Sequence, residues 1–88
     1  MTTAAACPPE VVLDTAPAAL QAARGALRAS PGALDLAGLR RFDSAAVAML
    51  VALRREAGPG LAFRNPPANL RKLASLYGVD TLLFGRVG

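Results

Sequence analysis

The chain has 88 residues and a net charge of +4, from nine arginines and one lysine against six acidic residues. This length allows one domain with a modest core. With no histidine and a single cysteine, the sequence lacks the residues of the usual nucleophilic triads, Cys-His sites and His-based zinc sites, so neither an enzyme nor a cofactor is predicted. The arginines occur in scattered pairs without interleaved aromatic residues, which argues against a nucleic-acid surface.

The first nine residues are small, polar and proline-containing, and they predict a flexible segment before a single domain over residues 10–88. They lack the basic and apolar regions of a signal peptide. The longest apolar-rich run, at residues 45–53, is too short to cross a bilayer. The lone Cys7 fits a reducing compartment. We therefore expect a cytoplasmic protein without direct membrane insertion.

Strand and helix patterns alternate from residue 10 onwards. Residues 10–13 predict a short strand, followed by an Asp-Thr pair that can cap a helix at residues 18–29. Pro17 is tolerated in the first turn of this helix. Gly25 lies inside it and costs about 1 kcal/mol relative to alanine, which indicates either close packing or simple tolerance. A Ser-Pro-Gly break ends this unit.

The most informative stretch covers residues 33–57, ALDLAGLRRFDSAAVAMLVALRREA. Its start predicts a buried strand, and Asp43 or Ser44 can cap the helix that follows. The apolar stripe of this helix comprises Ala46, Met49, Leu50, Leu53 and Ala57. Gly58 supplies the stop at its end. The stretch therefore places a hydroxyl at the positive end of a helix, beside a packed core.

The rest of the chain continues the alternation. Residues 61–64 predict a strand, residues 68–77 a helix closed by Gly78, and residues 81–84 a last short strand. The predicted fold class is thus α/β, with about four strands and three helices. Such alternation indicates a layer of parallel strand pairs joined by right-handed crossovers.

Ser44 carries the most specific chemistry, and the residues alone leave two interpretations open. One is a helix cap; the other is a hydroxyl regulated by phosphorylation, which would add about −1.5 to −2 charges. A helix N-terminus favours a phosphate, whereas adjacent Asp43 would repel it. The remaining carboxylates, Asp14, Asp35 and Asp80, fall at predicted element boundaries, where capping explains them better than metal binding.

Three segments of the chain resemble the STAS domain family. One is LDLAGLRRFDSAAVAMLVAL, with a strand ending in Asp-Leu, a loop and an Asp-Ser pair that opens an apolar helix. The others are VVLDTAPAALQAARGAL, which leads into the first helix, and NLRKLASLYGVDTLLF, with its Leu-x-x-Leu stripe and closing Tyr-Gly. Together the three segments span residues 11–84, and within them residues 73–77 are most similar to the MlaB type.

This resemblance implies a non-enzymatic subunit that binds the MlaF-like ATPase of an Mla-type ABC transporter and supports its assembly and activity. Such transporters move phospholipid between the two Gram-negative membranes and maintain outer-membrane lipid asymmetry, so the subunit would be peripheral to the inner membrane through its partner. The implied contact comprises Asp43, Ser44, Val47, Ala48, Val51, Arg54 and Arg55. Ser44 also falls where anti-sigma factor antagonists carry their phosphorylated serine, which is the alternative function.

The chain departs from the family pattern at two places. STAS domains usually begin with one more strand, which is predicted here to be missing or shortened. The strand at residues 10–13 would then be an open edge, through which copies of the chain could pair. The second departure is Ala46, which stands where relatives often carry glycine, and its methyl group could obstruct a kinase approaching Ser44.

Overall fold

The computed structural model describes residues 4–85. Its elements are β1 (Ala5–Ala6), β2 (Glu10–Val11), α1 (Ala16–Ala29), β3 (Ala33–Asp35), β4 (Arg41–Phe42), α2 (Ser44–Ala57), β5 (Ala62–Arg64), α3 (Ala68–Leu76) and α4 (Asp80–Phe84). Strands β1, β3 and β5 form one sheet in that order, β2 and β4 form a second, and every pairing is parallel. The predicted α/β class with parallel pairs is confirmed.

Helix α2 forms over the predicted residues because both of its ends are specified locally. Asp43 is the N-cap, and its carboxylate accepts a hydrogen bond from the Ala45 amide. At the other end Gly58 has a φ of +79°, a conformation that glycine adopts without steric cost. The predicted stripe Ala46, Met49, Leu50 and Leu53 is buried, whereas Ala57 is exposed.

Part of the N-terminal segment, for which flexibility was predicted, pairs with the larger sheet. Residues 1–3 lie outside the described part of the chain, but Ala5–Ala6 form β1 beside β3. Cys7 is only 6% exposed, and its amide donates to the Asp35 carbonyl at 2.9 Å. This segment offers little apolar surface. It is held against β3 by backbone hydrogen bonds and by the close packing of the small Ala5 side chain. A strand of two residues therefore precedes β2 in the chain.

Strand β2 does not extend the larger sheet as an open edge. Glu10 and Val11 pair with Arg41 and Phe42 of β4, a strand that the sequence pattern does not predict. The amides of Arg40 and Arg41 donate to the Pro9 carbonyl, at 2.8 Å and 3.1 Å, which brings the two segments together. Pairing of two copies of the chain through β2 stays a prediction.

Residues 81–84 belong to helix α4, so the predicted last strand is wrong. Helix α3 ends at Leu76, and Gly78 follows two residues later with a φ of +72°. The amides of Gly78 and Val79 donate to the carbonyls of Ser75 and Ala74, both at 3.0 Å, in a Schellman motif that reverses the chain. The chain then enters α4, whose Leu83 packs into the core with 1% exposure. A helix this short is marginal alone, so tertiary contacts decide its conformation.

The described helices can also be compared with the thickness of a bilayer. None of those within residues 4–85 is both long and apolar enough to span it.

Candidate partner-binding site

Helices α1 and α2 begin side by side, and Asp43 fixes this arrangement. Its Oδ1 atom accepts from the Ala45 amide at 2.8 Å, while Oδ2 accepts from the Leu13 amide at 3.1 Å. Leu13 lies in the turn before α1, where the Thr15 hydroxyl accepts from the Val12 amide at 3.0 Å. One carboxylate therefore caps α2 and anchors the entry to α1.

The two helices run parallel, because their far ends also meet. Arg24 near the end of α1 forms a bidentate pair with Glu56 of α2, with Nε–Oε1 and Nη2–Oε2 distances of 2.9 Å and 2.5 Å. This pair is partly exposed to solvent, so it contributes little stability. Its position shows that the second halves of α1 and α2 are adjacent, as their first turns are.

A mostly apolar groove of about 670 Å³ lies between the first turns of the two helices. Its walls include Leu13, Pro17 and Leu20 on one side and Ser44, Ala48 and Met49 on the other. Leu13 is 76% exposed, so it presents a large apolar side chain to solvent at this surface. An apolar, concave surface with such a residue at its rim is the kind of surface that proteins use for binding.

The structure divides the predicted site residues into two groups. Asp43, Ser44 and Ala48 line the groove, and Arg55 is exposed near the other end of α2. The remaining three, Val47, Val51 and Arg54, do not lie on this open face. Val47 is 4% exposed in the core, and Val51 packs against the core. The two residues are one helical turn apart and lie beside the buried stripe of α2.

Arg54 is occupied by contacts within the chain. Its Nε donates to the Leu82 carbonyl at 3.1 Å, Nη2 to that of Leu83 at 3.0 Å, and Nη1 to those of Gly58, at 3.1 Å, and Leu61. The guanidinium also lies 5.0 Å from the centroid of the Phe63 ring. It thus joins the end of α2 to the approach to β5 and to the last turn of α4.

Ser44 is exposed at the first residue of α2, and within residues 4–85 its hydroxyl has no hydrogen-bond partner. Ala46 is 1% exposed, so its methyl group faces the core. The expectation that Ala46 obstructs access to Ser44 is therefore wrong. Asp43, and not Ser44, supplies the helix cap, which leaves the serine hydroxyl free for an external contact.

The α1 wall of the groove, which includes Leu13, Pro17 and Leu20, was not predicted from the sequence. The available signal was the topology: successive right-handed crossovers place neighbouring helices on the same face of a sheet. Leu13 was instead assigned to the strand predicted at residues 10–13. In the structure the strand ends at Val11, and the turn that follows directs Leu13 outward.

One acidic residue lines this groove, and a second lies next to a lining residue in the chain. Asp43 lines it, Asp14 is exposed next to Leu13, and no cationic side chain is among the described residues that line it. Within residues 4–85 there is also no group of three or more His, Cys, Asp or Glu side chains that could hold a metal ion. The arrangement is suited to apolar contact with a positively charged edge of a partner.

Comparison with known proteins gives one family. The family model described as Mlab, STAS domain matches residues 10–84. No curated protein and no solved structure gives a match. The matched range contains both walls of the groove, at residues 13–20 and 43–52, but not β1.

Proposed function

Because the chain belongs to the MlaB-type STAS domain family, we propose that it is a non-enzymatic subunit that docks on the ATPase of an Mla-type ABC transporter. It would support assembly and activity of that complex in phospholipid transport, and it would be held at the inner membrane through this partner. STAS domains are generally non-catalytic. The observation that carries the proposal is the apolar groove between the first turns of α1 and α2.

The shape of the groove favours a helix of the partner. Two parallel helices with small side chains at Ala48 and Ala52 allow a third helix to approach closely, as in helix-in-groove recognition. Leu13 supplies a large apolar anchor at the rim. Asp14 and Asp43 complement a lysine or arginine beside the apolar face of that helix, which contributes to specificity and association rate.

The direct test is co-purification with the ATPase subunit from the same genome after co-expression of both full chains. Ala48→Glu places a carboxylate in the groove, and burying an unpaired charge costs several kcal/mol. We expect this variant to lose at least about ten-fold in affinity, and Leu13→Ser to weaken binding because it removes the anchor. Ala22→Glu is the matched control, since Ala22 is an exposed residue of α1 outside the groove lining.

Wild-type affinity of both Ala48→Glu and Leu13→Ser would show that the ATPase binds elsewhere. Ser44→Glu combined with Arg55→Glu extends the test along the exposed face of α2. Circular dichroism of each variant separates lost binding from lost folding.

The alternative function is an anti-sigma factor antagonist regulated at Ser44. It is favoured by the exposed Ser44 hydroxyl, which has no hydrogen-bond partner in the described part of the chain, and by the inward direction of Ala46. Affinity purification from the native host, followed by mass spectrometry of the partners and of Ser44, separates the two functions. A kinase-type partner with phosphorylated Ser44 supports the alternative, and an ABC ATPase with unmodified Ser44 supports the transporter subunit.

A further inference from the structure

A second cavity lies at the opposite end of the α1–α2 pair. Its volume is about 380 Å³, and its apolar surface includes Leu27, Leu53 and Leu61. The turns at Gly32 and Gly60, which lead into β3 and β5, bound it on one side. This volume falls near the lower end of the roughly 300–1,000 Å³ that small-molecule sites occupy.

The rim of this cavity is positively charged. Arg24 and Glu56 neutralise one another through their bidentate pair. Arg28, which also lines the cavity, is exposed and has no ion-pair partner within residues 4–85. Among residues 4–85 the charged lining therefore consists of two arginines against one glutamate, a net charge of +1. An unpaired guanidinium beside an apolar surface is suited to an anion that carries an apolar body.

We propose that this cavity binds a small amphipathic carboxylate, with its head group on Arg28 and its apolar body against Leu27. Leu53 and Leu61 are 2% and 4% exposed, so they close the base of the cavity, whereas the partly buried Leu27 supplies accessible apolar surface. The carbonyl ends of two helices are nearby and disfavour anions, but arginines in both last turns, including Arg28, offset that partial charge. The site shares no lining residue with the ATPase-docking groove and does not depend on that proposed function.

The experiment is a ¹H–¹⁵N NMR titration of the full chain with sodium octanoate at pH 7. We expect saturable shifts of the Gly32, Gly60 and Leu61 amides, with a dissociation constant on the order of millimolar for a ligand of this size. Octylammonium has the same apolar body with a cationic head, and acetate has the carboxylate alone. Neither should produce these shifts at the same concentrations.

Two variants test the assigned contacts. Arg28→Glu replaces attraction by repulsion and should weaken octanoate binding at least ten-fold. Gly60→Phe should fill the cavity and abolish binding; Gly60 does not need a positive φ, and a Cβ there meets no atom within 4 Å. Arg40→Glu is the matched control for Arg28→Glu, because Arg40 is exposed in the loop before β4 and lines neither cavity.

Three results would overturn the assignment. They are equal binding of octylammonium, unchanged affinity in folded Arg28→Glu and Gly60→Phe variants, and octanoate-induced shifts centred on Leu13 and Ala48 instead of Gly60. The amide spectrum of each variant reports its folding in the same experiment. ATPase binding by Arg28→Glu is measured separately, so failure of this site leaves the docking proposal unaffected.

Discussion

Replacing Arg54 by methionine should destabilise the protein far more than the same change at its exposed neighbour Arg55. The Arg54 guanidinium donates to carbonyls of Leu82 and Leu83 in α4 and of Gly58 and Leu61 before β5. Methionine keeps much of the apolar stem but provides no donor. The variant therefore removes the hydrogen bonds and leaves most of the packing in place.

The magnitude follows from these contacts. Each net hydrogen bond contributes about 0.5–1.5 kcal/mol, and the stacking on Phe63 adds about 0.5–1 kcal/mol. The bond to Leu82 is exposed and contributes least, whereas the other three are part-buried. From the three part-buried bonds and the stacking we expect a loss of about 2–5 kcal/mol, a large share of the roughly 5–15 kcal/mol that holds a small domain folded.

Urea unfolding followed by circular dichroism measures this loss, with Arg55→Met as the matched control because Arg55 is exposed on the same helix. The control should stay within about 0.5 kcal/mol of the wild type. Hydrogen exchange should show that the Leu83 amide, which donates to Val79 at 3.0 Å, loses protection in Arg54→Met. Equal stability of the two variants would refute the role assigned to the guanidinium.

Three further outcomes are expected. Gly25→Ala should raise the free energy of unfolding by about 0.5–1 kcal/mol, because the new methyl group meets only a flexible guanidinium at 3.8 Å; a loss measured by urea unfolding would indicate hidden crowding. Burial raises the pKa of the Cys7 thiol to about 11; iodoacetamide at pH 8 should therefore alkylate it slowly in buffer and rapidly in urea, and fast alkylation in buffer would contradict docking of β1. Hydrogen bonds from the Ala37 amide and the Asn65 side chain, with the charge of Arg64, lower the pKa of Asp35 below 3.8. The ionised carboxylate then stabilises the fold above pH 3.8, and this contribution is lost as the pH falls through the folded pKa. Asp35→Asn should therefore make the free energy of unfolding depend less on pH below 3.8. An unchanged pH dependence in this range would argue against the linkage.

Elements whose ends are specified by nearby residues could be predicted from the sequence. Helix α2 is the clearest case, since Asp43 and Gly58 act within one turn of its ends. Strand β4 and helix α4 depend instead on distant partners. The Pro9 carbonyl accepts from Arg41, and Arg54 binds the last carbonyls of α4, and no local pattern contains either contact.

The candidate site was predicted to a similar extent and for the same reason. Family resemblance pointed to Asp43, Ser44 and Ala48 on α2, and these residues line the groove. The same resemblance implied Val47 and Arg54, but it did not indicate which way each of these side chains is directed. The opposite wall around Leu13 needed the relative placement of two helices, which periodicity within either helix does not contain.

The parallel pairing of all the described strands has a consequence for how the chain folds. Ala5 pairs with Leu34, Glu10 with Arg41 and Ala33 with Ala62, so partners lie 29, 31 and 29 positions apart. None of these pairings is a hairpin that could nucleate early. Each pairing can form only after a long loop has closed, which has an entropic cost. During synthesis on the ribosome, β1 has no partner until β3 has emerged. We therefore expect α1 and α2 to gain structure first and the sheet to be completed late, when β5 joins β3.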